Sequence, residues 1–176
     1  MDLYEAVEKR RSVRAYERRA VEEERLLRIL EAARLAPSAG NRQEWRFVLV
    51  RDPEVRRRLM GVASNQPFVA QAPIVIACCA ETDGHVMRCG QPSYPIDVAI
   101  ATEHIALAAT AEGLGTCWIG AFDENGVREL LGIPETIRVV ELLALGYPAD
   151  SPRPRRRKTT GEIVCYDRWS LGEPAL

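Results

Sequence analysis

The chain has 176 residues, of which 47% are apolar and 28% charged, the ordinary proportions of a folded globular domain. No apolar run reaches the roughly 20 residues that a membrane-spanning helix needs, and nothing resembles a signal peptide, so we expect a cytoplasmic protein without membrane segments. The net charge is −1 overall, but +4 over residues 1–58, −8 over 59–150 and +3 over 151–176. This pattern predicts that the two basic ends meet at one anion.

In the first half of the chain, start and stop signals next to apolar patterns predict four elements. They are a helix from Asp2 to about Lys9, a helix over 21–36, a strand over 46–51 around Phe47–Val50, and a helix that Asp52 caps. The second helix has the clearest pattern, because acidic residues crowd its first turn and Pro37 stops it.

The second half alternates apolar segments with loops. We predict a buried strand over Ile74–Ala80, a loop over 81–95, an apolar helix over Ile96–Glu112, a short helix from Asp123 to Gly132, a strand over Val139–Leu145, an extended Pro- and Arg-rich tail over 148–158, and an edge strand at Ile163–Tyr166. Three or four strands interleaved with helices predict a single α+β domain over 1–176, with residues 148–176 as a C-terminal arm.

The reactive side chains follow none of the familiar catalytic patterns. Five cysteines without a CxxC spacing argue against a disulfide framework and against a zinc site, so we predict no metal. His104 lies within an apolar helix and is interpreted as a core residue. There is no Ser/His/Asp arrangement and no carboxylate pair. If the protein is an enzyme, a cofactor therefore supplies the reactive atom.

Two segments near the start of the chain carry polar groups that suit a ligand. Arg10-Arg11-Ser12-Val13-Arg14 can bind a phosphate through charge-assisted bonds, although a solvated charge run after a helix has the same composition. Nucleic acid is a further alternative, but no aromatic platform accompanies these arginines. The loop APSAGNRQEW over residues 36–45 suits the polar edges of a planar heterocycle, or is an ordinary turn.

Two later segments also allow a functional or a structural interpretation. Residues 113–122, GLGTCWIGAF, let backbone approach a ligand closely, or form a helix C-cap followed by a core strand. Their spacing is not that of a dinucleotide-binding fingerprint. The basic run over residues 153–158 can reach a phosphate held elsewhere, or is a solvated tail.

In order and spacing, the RRSVR, APSAGNRQEW and GLGTCWIGAF segments and the RRRK…EIVCYDRW tail resemble the nitroreductase family of FMN-dependent oxidoreductases, from about Leu3 to Trp169. The resemblance implies an α-β-α sandwich with a central, mainly antiparallel sheet. It also implies an intertwined homodimer with FMN in clefts between subunits. Reduced NAD(P)H would pass hydride to flavin N5, and a nitro, quinone or similar small-molecule acceptor would then take it in a ping-pong cycle.

By the same resemblance, the cofactor-binding residues come from five places in the chain. Arg10, Ser12 and Arg14 hold the FMN phosphate and ribityl chain, and Arg155 and Arg157 reach that phosphate. Pro37, Ser38 and Asn41 of the other subunit line the flavin ring, and Gln66 contacts its pyrimidine edge. Ile119 and Gly120 offer backbone near N5, and Arg11 and Gln43 complete the set. No side chain is assigned as nucleophile or essential base.

Two departures from the family pattern concern the acceptor pocket rather than the cofactor. Glu44 replaces the proline of the motif NxQPW, and residues 80–95 leave little room for the helical excursion of larger members. The alternatives are an FMN enzyme that reduces activated alkenes or removes halogen, a flavin-binding protein without turnover, and a basic nucleic-acid module. Acceptor turnover, bound flavin and salt-sensitive binding without a chromophore distinguish them.

Overall fold

A central antiparallel sheet organises the molecule, whose computed structural model describes residues 1–169. Within these residues four strands form one sheet with the spatial order β1-β2-β4-β3. They are β1 (Trp45–Val50), β2 (Ile74–Glu81), β3 (Gly115–Ile119) and β4 (Ile137–Gly146). Every neighbouring pair is antiparallel, which confirms the predicted α+β fold with its antiparallel sheet.

Helices cover both faces of this sheet. They are α1 (Leu3–Lys9), α2 (Glu23–Arg34), α3 (Pro53–Val62), α4 (Pro67–Gln71), α5 (Ser93–Ala111) and α6 (Glu124–Leu131). Two of the predicted caps form. The Asp2 carboxylate accepts the backbone N–H of Glu5, and Asp52 accepts two N–H groups of the first turn of α3. No helix within residues 1–169 is long and apolar enough to cross a membrane.

The packing of strand β2 explains why its sequence is continuously apolar. Alternate residues point to opposite faces of a strand. Val75, Ala77 and Cys79 pack in one buried layer with α3, α4 and α6. Ile76 and Cys78 pack in the other layer, with α2 and α5. Since both faces are covered, neither set of positions is polar.

Several predicted boundaries are corrected. The apolar helix α5 begins at Ser93 rather than Ile96, because a proline in the first turn loses no intrahelical bond. The helix predicted over 21–36 spans Glu23–Arg34, and the five-residue α4 was not predicted. The edge strand predicted at Ile163–Tyr166 is wrong for the chain as described, since no ladder within residues 1–169 includes that segment. The tail predicted to be extended over 148–158 has no helix and belongs to no strand of the sheet, although Pro148 forms an isolated antiparallel bridge with Tyr16.

Candidate functional site

The segment Arg10–Arg14 lies along the free edge of β3. Ser12 forms a parallel bridge with Thr116, and the Val13 N–H donates to the Thr116 carbonyl oxygen at 2.9 Å. A Cβ atom at Gly115 would overlap the side chain of Val13, so only glycine allows this close approach. The backbone therefore fixes the segment that carries these arginines against β3.

The C-terminal tail returns to the same place. A cavity of about 680 Å³ is lined by residues from both ends of the chain: Val7, Glu8, Arg10, Arg11, Ser12, Arg14, Pro152, Arg153, Pro154, Arg155 and Arg157. We call this cavity the arginine cleft. Six guanidinium groups and one carboxylate line it, so the two basic ends of the chain do meet.

The arginines of this cleft differ in how they are held. Arg10 Nε lies 3.2 Å from Glu103 Oε1 of α5. The Arg11 guanidinium donates to the Arg10 carbonyl oxygen at 2.8 Å. Among the described residues, the side chains of Arg155 and Arg157 have no hydrogen bond or ion pair. Most of the positive charge is therefore uncompensated, and a dianionic phosphate suits it.

The wall below Arg14 is apolar and carries no second charge. The Arg14 Cζ atom lies 5.9 Å from the centroid of the Phe68 ring, within reach of a cation–π contact. Burial raises the pKa of the neighbouring Cys117 thiol, so this cysteine stays neutral. These two neighbours offer Arg14 an aromatic face and a neutral thiol.

Gln66 stands at the start of α4, close to the turn after β3. Its side-chain amide donates to the Ala63 carbonyl oxygen at 3.1 Å. The hydroxyl of Ser64 donates to the carbonyl oxygen of Ala121 at 3.1 Å, which joins the two turns. Gln66 and Gly120 thus lie on adjoining turns, although Gln66 does not line the arginine cleft.

The two residues predicted to offer backbone behave differently. Ile119 is 2% exposed, pairs with Leu142 of β4 and has its side chain in the core, so it presents almost no surface to a ligand. Gly120 is exposed, and a Cβ atom there would meet nothing within 4 Å. There is room for a planar group against the Gly120 backbone.

The remaining predicted residues, Pro37, Ser38, Asn41 and Gln43, lie on the loop between α2 and β1 and not in the arginine cleft. The hydroxyl oxygen of Ser38 accepts the Gln43 N–H at 3.0 Å. Buried Asp97 of α5 holds the same loop by accepting the Ala39 N–H. The structure divides the predicted set into the arginine cleft, the two adjoining turns that carry Gln66 and Gly120, and a separate loop. The contact of this loop with the cofactor of another subunit stays a prediction.

Sequence reasoning missed three contributors to the cleft region. Arg153 lines the cavity, Glu103 pairs with Arg10, and Phe68 lies below Arg14. Arg153 belongs to the predicted basic run and could have been included on that ground. The other two are brought in by packing alone. Within residues 1–169, no group of three or more His, Cys, Asp or Glu side chains is arranged to hold a metal ion.

Comparison with known proteins decides the family. The family model described as "Nitroreductase family" matches residues 7–81 and 61–147, which is most of the chain. The chain belongs to the nitroreductase family. It is therefore an oxidoreductase of that family, as the four collinear segments predicted.

Individual relatives are similar to this chain along nearly its whole length. An NADH dehydrogenase of Thermus thermophilus is 32% identical, over 94% of this chain and 96% of its own. A nitroreductase family protein of Clostridium novyi has 38% identity and a TM-score of 0.82, covering 88% of this chain and 89% of its own. An FMN-dependent nitroreductase of Clostridium difficile has 28% identity and a TM-score of 0.82, covering 93% and 98%.

Proposed function

We propose that this chain binds FMN and transfers hydride from NAD(P)H to nitro, quinone or similar electron-poor acceptors. The observation that carries the proposal is the arginine cleft, in which two ends of the chain bring six guanidinium groups to one cavity. The names of the relatives support the cofactor and the reductant, since one is an FMN-dependent nitroreductase and another an NADH dehydrogenase.

The donor set of the cleft fits the phosphate end of FMN. Arg10, Arg155 and Arg157 would hold the phosphate, and Ser12 would hydrogen-bond the ribityl chain. Arg14 would place its charge toward the ring. Arg10 is already oriented by Glu103, so little ordering of its side chain is needed on binding.

When bound, FMN supplies the hydride chemistry, and the chain's own groups orient and shield the ring. Gly120 offers an exposed backbone with open space above it, and its N–H is suited to donate to a planar acceptor. The amide of Gln66, on the adjoining turn, is suited to the polar edge of the same ring. None of these groups has to act as a nucleophile.

We also propose that the protein is an intertwined homodimer and that all of its residues belong to one domain. Apolar side chains of α1 are strongly exposed: Leu3 by 64%, Tyr4 by 84% and Val7 by 54%. Ile163, Tyr166 and Trp169 of the C-terminal arm are exposed too. Within residues 1–169, β1 pairs only with β2 and leaves its other edge open. Exposed apolar surface and an open edge favour a second copy as the partner.

The test is the visible absorption spectrum of the purified protein, with the released chromophore identified by mass. We expect FMN near one per chain, and NADH or NADPH oxidation that depends on a nitroaromatic or quinone. The double variant Arg10→Ala with Arg157→Ala should lose the flavin. The matched control is Arg34→Ala with Arg57→Ala, which removes two exposed helix arginines far along the chain from the cleft.

Each outcome has one meaning. A colourless wild-type protein that takes up no added FMN contradicts the cofactor. Unchanged flavin occupancy in the Arg10/Arg157 variant contradicts the roles of the cleft arginines. Bound FMN without NAD(P)H oxidation would identify a flavin-binding protein without turnover. Turnover confined to activated alkenes or halogenated compounds would replace the proposed acceptor class.

A further inference from the structure

The loop between α2 and β1 has a backbone that needs outside support. Gly40, Asn41 and Gln43 all have φ between +52° and +57°, the left-handed region that costs free energy for side chains other than glycine. Within the loop, Asn41 and Gln43 donate their N–H groups to the carbonyl and hydroxyl oxygens of Ser38. Two such local bonds do not attach the loop to the rest of the molecule.

Buried Asp97 makes one attachment. This residue of α5 is 3% exposed, and both of its carboxylate oxygens accept the Ala39 N–H, at 3.1 and 3.2 Å. A buried carboxylate that accepts from a backbone N–H forms a strong, charge-assisted bond. The first residue of the strained turn is therefore fixed to the long helix.

Glu44 makes the second attachment, at the other end of the loop. It is 5% exposed and stands where the family pattern has proline. Its Oε2 accepts the hydroxyl of Ser93 at 3.3 Å, and its Oε1 lies 3.6 Å from Arg42 Nε. Proline has no side-chain acceptor, so this second attachment belongs to the glutamate.

Arg42 extends the connection to the short segment 82–92. Its guanidinium also bonds the carboxylate of Asp83, whose pKa this arginine lowers. The Ser93 N–H donates to the His85 carbonyl oxygen at 3.1 Å. The Ser93 hydroxyl has one proton, which is shared between Glu44 Oε2 at 3.3 Å and that same carbonyl oxygen at 3.4 Å. The loop, the segment and the start of α5 thus form one hydrogen-bonded unit.

We propose that Asp97 and Glu44 are positioning residues. They hold Ser38 and Asn41 in the geometry in which these two residues contact the flavin of a second copy. Glu44 also fixes the 82–92 segment relative to the loop. This inference rests on the proposed function. The two carboxylates are not catalytic, because they act through the loop backbone.

The experiment compares Asp97→Ala, Asp97→Asn and Glu44→Gln with the wild type and with Glu129→Gln, an exposed carboxylate of α6. Three quantities are measured: the Kd of FMN for the apoprotein, kcat and KM for a quinone at saturating FMN, and hydrogen exchange of the peptide covering residues 38–43. We expect Asp97→Ala to raise the Kd of FMN about tenfold and to accelerate loop exchange. Asp97→Asn keeps one acceptor oxygen and should show a smaller change.

Glu44→Gln keeps the acceptor for Ser93 and loses the negative charge opposite Arg42. We therefore expect KM for the quinone to rise about threefold to tenfold, while kcat stays within about twofold. A purely structural role would lower Tm and leave the Kd and the KM-to-kcat split of the folded enzyme unchanged. That result overturns the inference.

Two further comparisons keep the test decisive. If Asp97→Ala does not fold, Glu44→Ala, which removes the acceptor for Ser93, is combined with Ser93→Ala in a double-mutant cycle, and additive effects on KM contradict the connection. If the wild type binds no FMN, the proposed function fails. Loop exchange in Asp97→Asn still tests the attachment, and unchanged exchange overturns it.

Discussion

The arginines on the α2–α5 surface and those of the arginine cleft have different surroundings. On the helical surface Arg28 makes a two-bond contact with Glu112, at 2.7 and 2.9 Å, and Arg34 pairs with Glu31. In the cleft, Arg155 and Arg157 have no acidic partner among the described residues. The number of arginines alone therefore says little about function. The position of the nearest carboxylate decides whether an arginine is already paired or is available to an anionic ligand.

Carboxylates show the same contrast. Hydrogen bonds from Arg28 lower the pKa of Glu112. Glu141, in the middle of β4, is 7% exposed, and its Oε1 has no hydrogen-bond partner within residues 1–169. Burial raises its pKa from 4.5 to about 7, and the negative charge of Glu103 acts in the same direction. An arginine partner stabilises the charge on Glu112, whereas burial, against an opposing effect of Thr102, favours the neutral form of Glu141.

The largest effect is expected where the cleft depends on the sheet. In Gly115→Ala the new Cβ atom overlaps Val13 and displaces the segment that carries Arg10 and Arg14. We expect the free energy of unfolding to fall by about 1–3 kcal/mol and FMN affinity to fall with it. Urea denaturation and FMN titration measure the two quantities. Gly61→Ala, on an open face of α3, is the control and should not destabilise. Retained FMN affinity in Gly115→Ala would show that the cleft does not require this packing.

A pH-dependent effect is expected at Glu141. Its folded-state pKa lies above the unfolded value, so the folded state holds the extra proton between about pH 4.5 and 7. The stability that this proton provides is present below pH 4.5 and lost as the pH rises through about 7. Glu141→Gln should therefore gain about 1–2 kcal/mol over the wild type at pH 8 and little at pH 5. Urea unfolding at both pH values measures the difference. An equal effect at the two values would contradict the raised pKa of Glu141.

The smallest effect is expected on the paired surface. Arg28→Ala removes the contact with Glu112 at an exposed position, where water and salt screen ion pairs. We expect Tm to fall by about 1–3 °C and FMN affinity to stay within about twofold. A thermal melt and an FMN titration on the same sample provide the comparison. A large loss of FMN affinity would show that the paired surface arginines also contribute to FMN binding.

Local chemistry explains which elements could be predicted. Asp2 and Asp52 mark helix starts through side-chain bonds to nearby N–H groups, and Ile74–Ala80 is apolar because both faces of β2 are covered. Helix α4 has five residues and no periodic pattern, so no local signal identified it. The edge strand at Ile163–Tyr166 was predicted from its local sequence alone, and a strand also needs a neighbouring strand to pair with.

The sequence by itself determined the family, the α+β class and the four segments from which a site is built, because these depend on residues that are close in the chain. It also marked Arg10–Arg14 and the 153–158 run as basic. Only the tertiary structure decided that these two runs, some 140 residues apart, line one cavity, and that Asp97 and Glu44 support the loop after α2. The physical reason is that such contacts depend on how β3, β4 and α5 pack together, and the local sequence pattern carries no record of that packing.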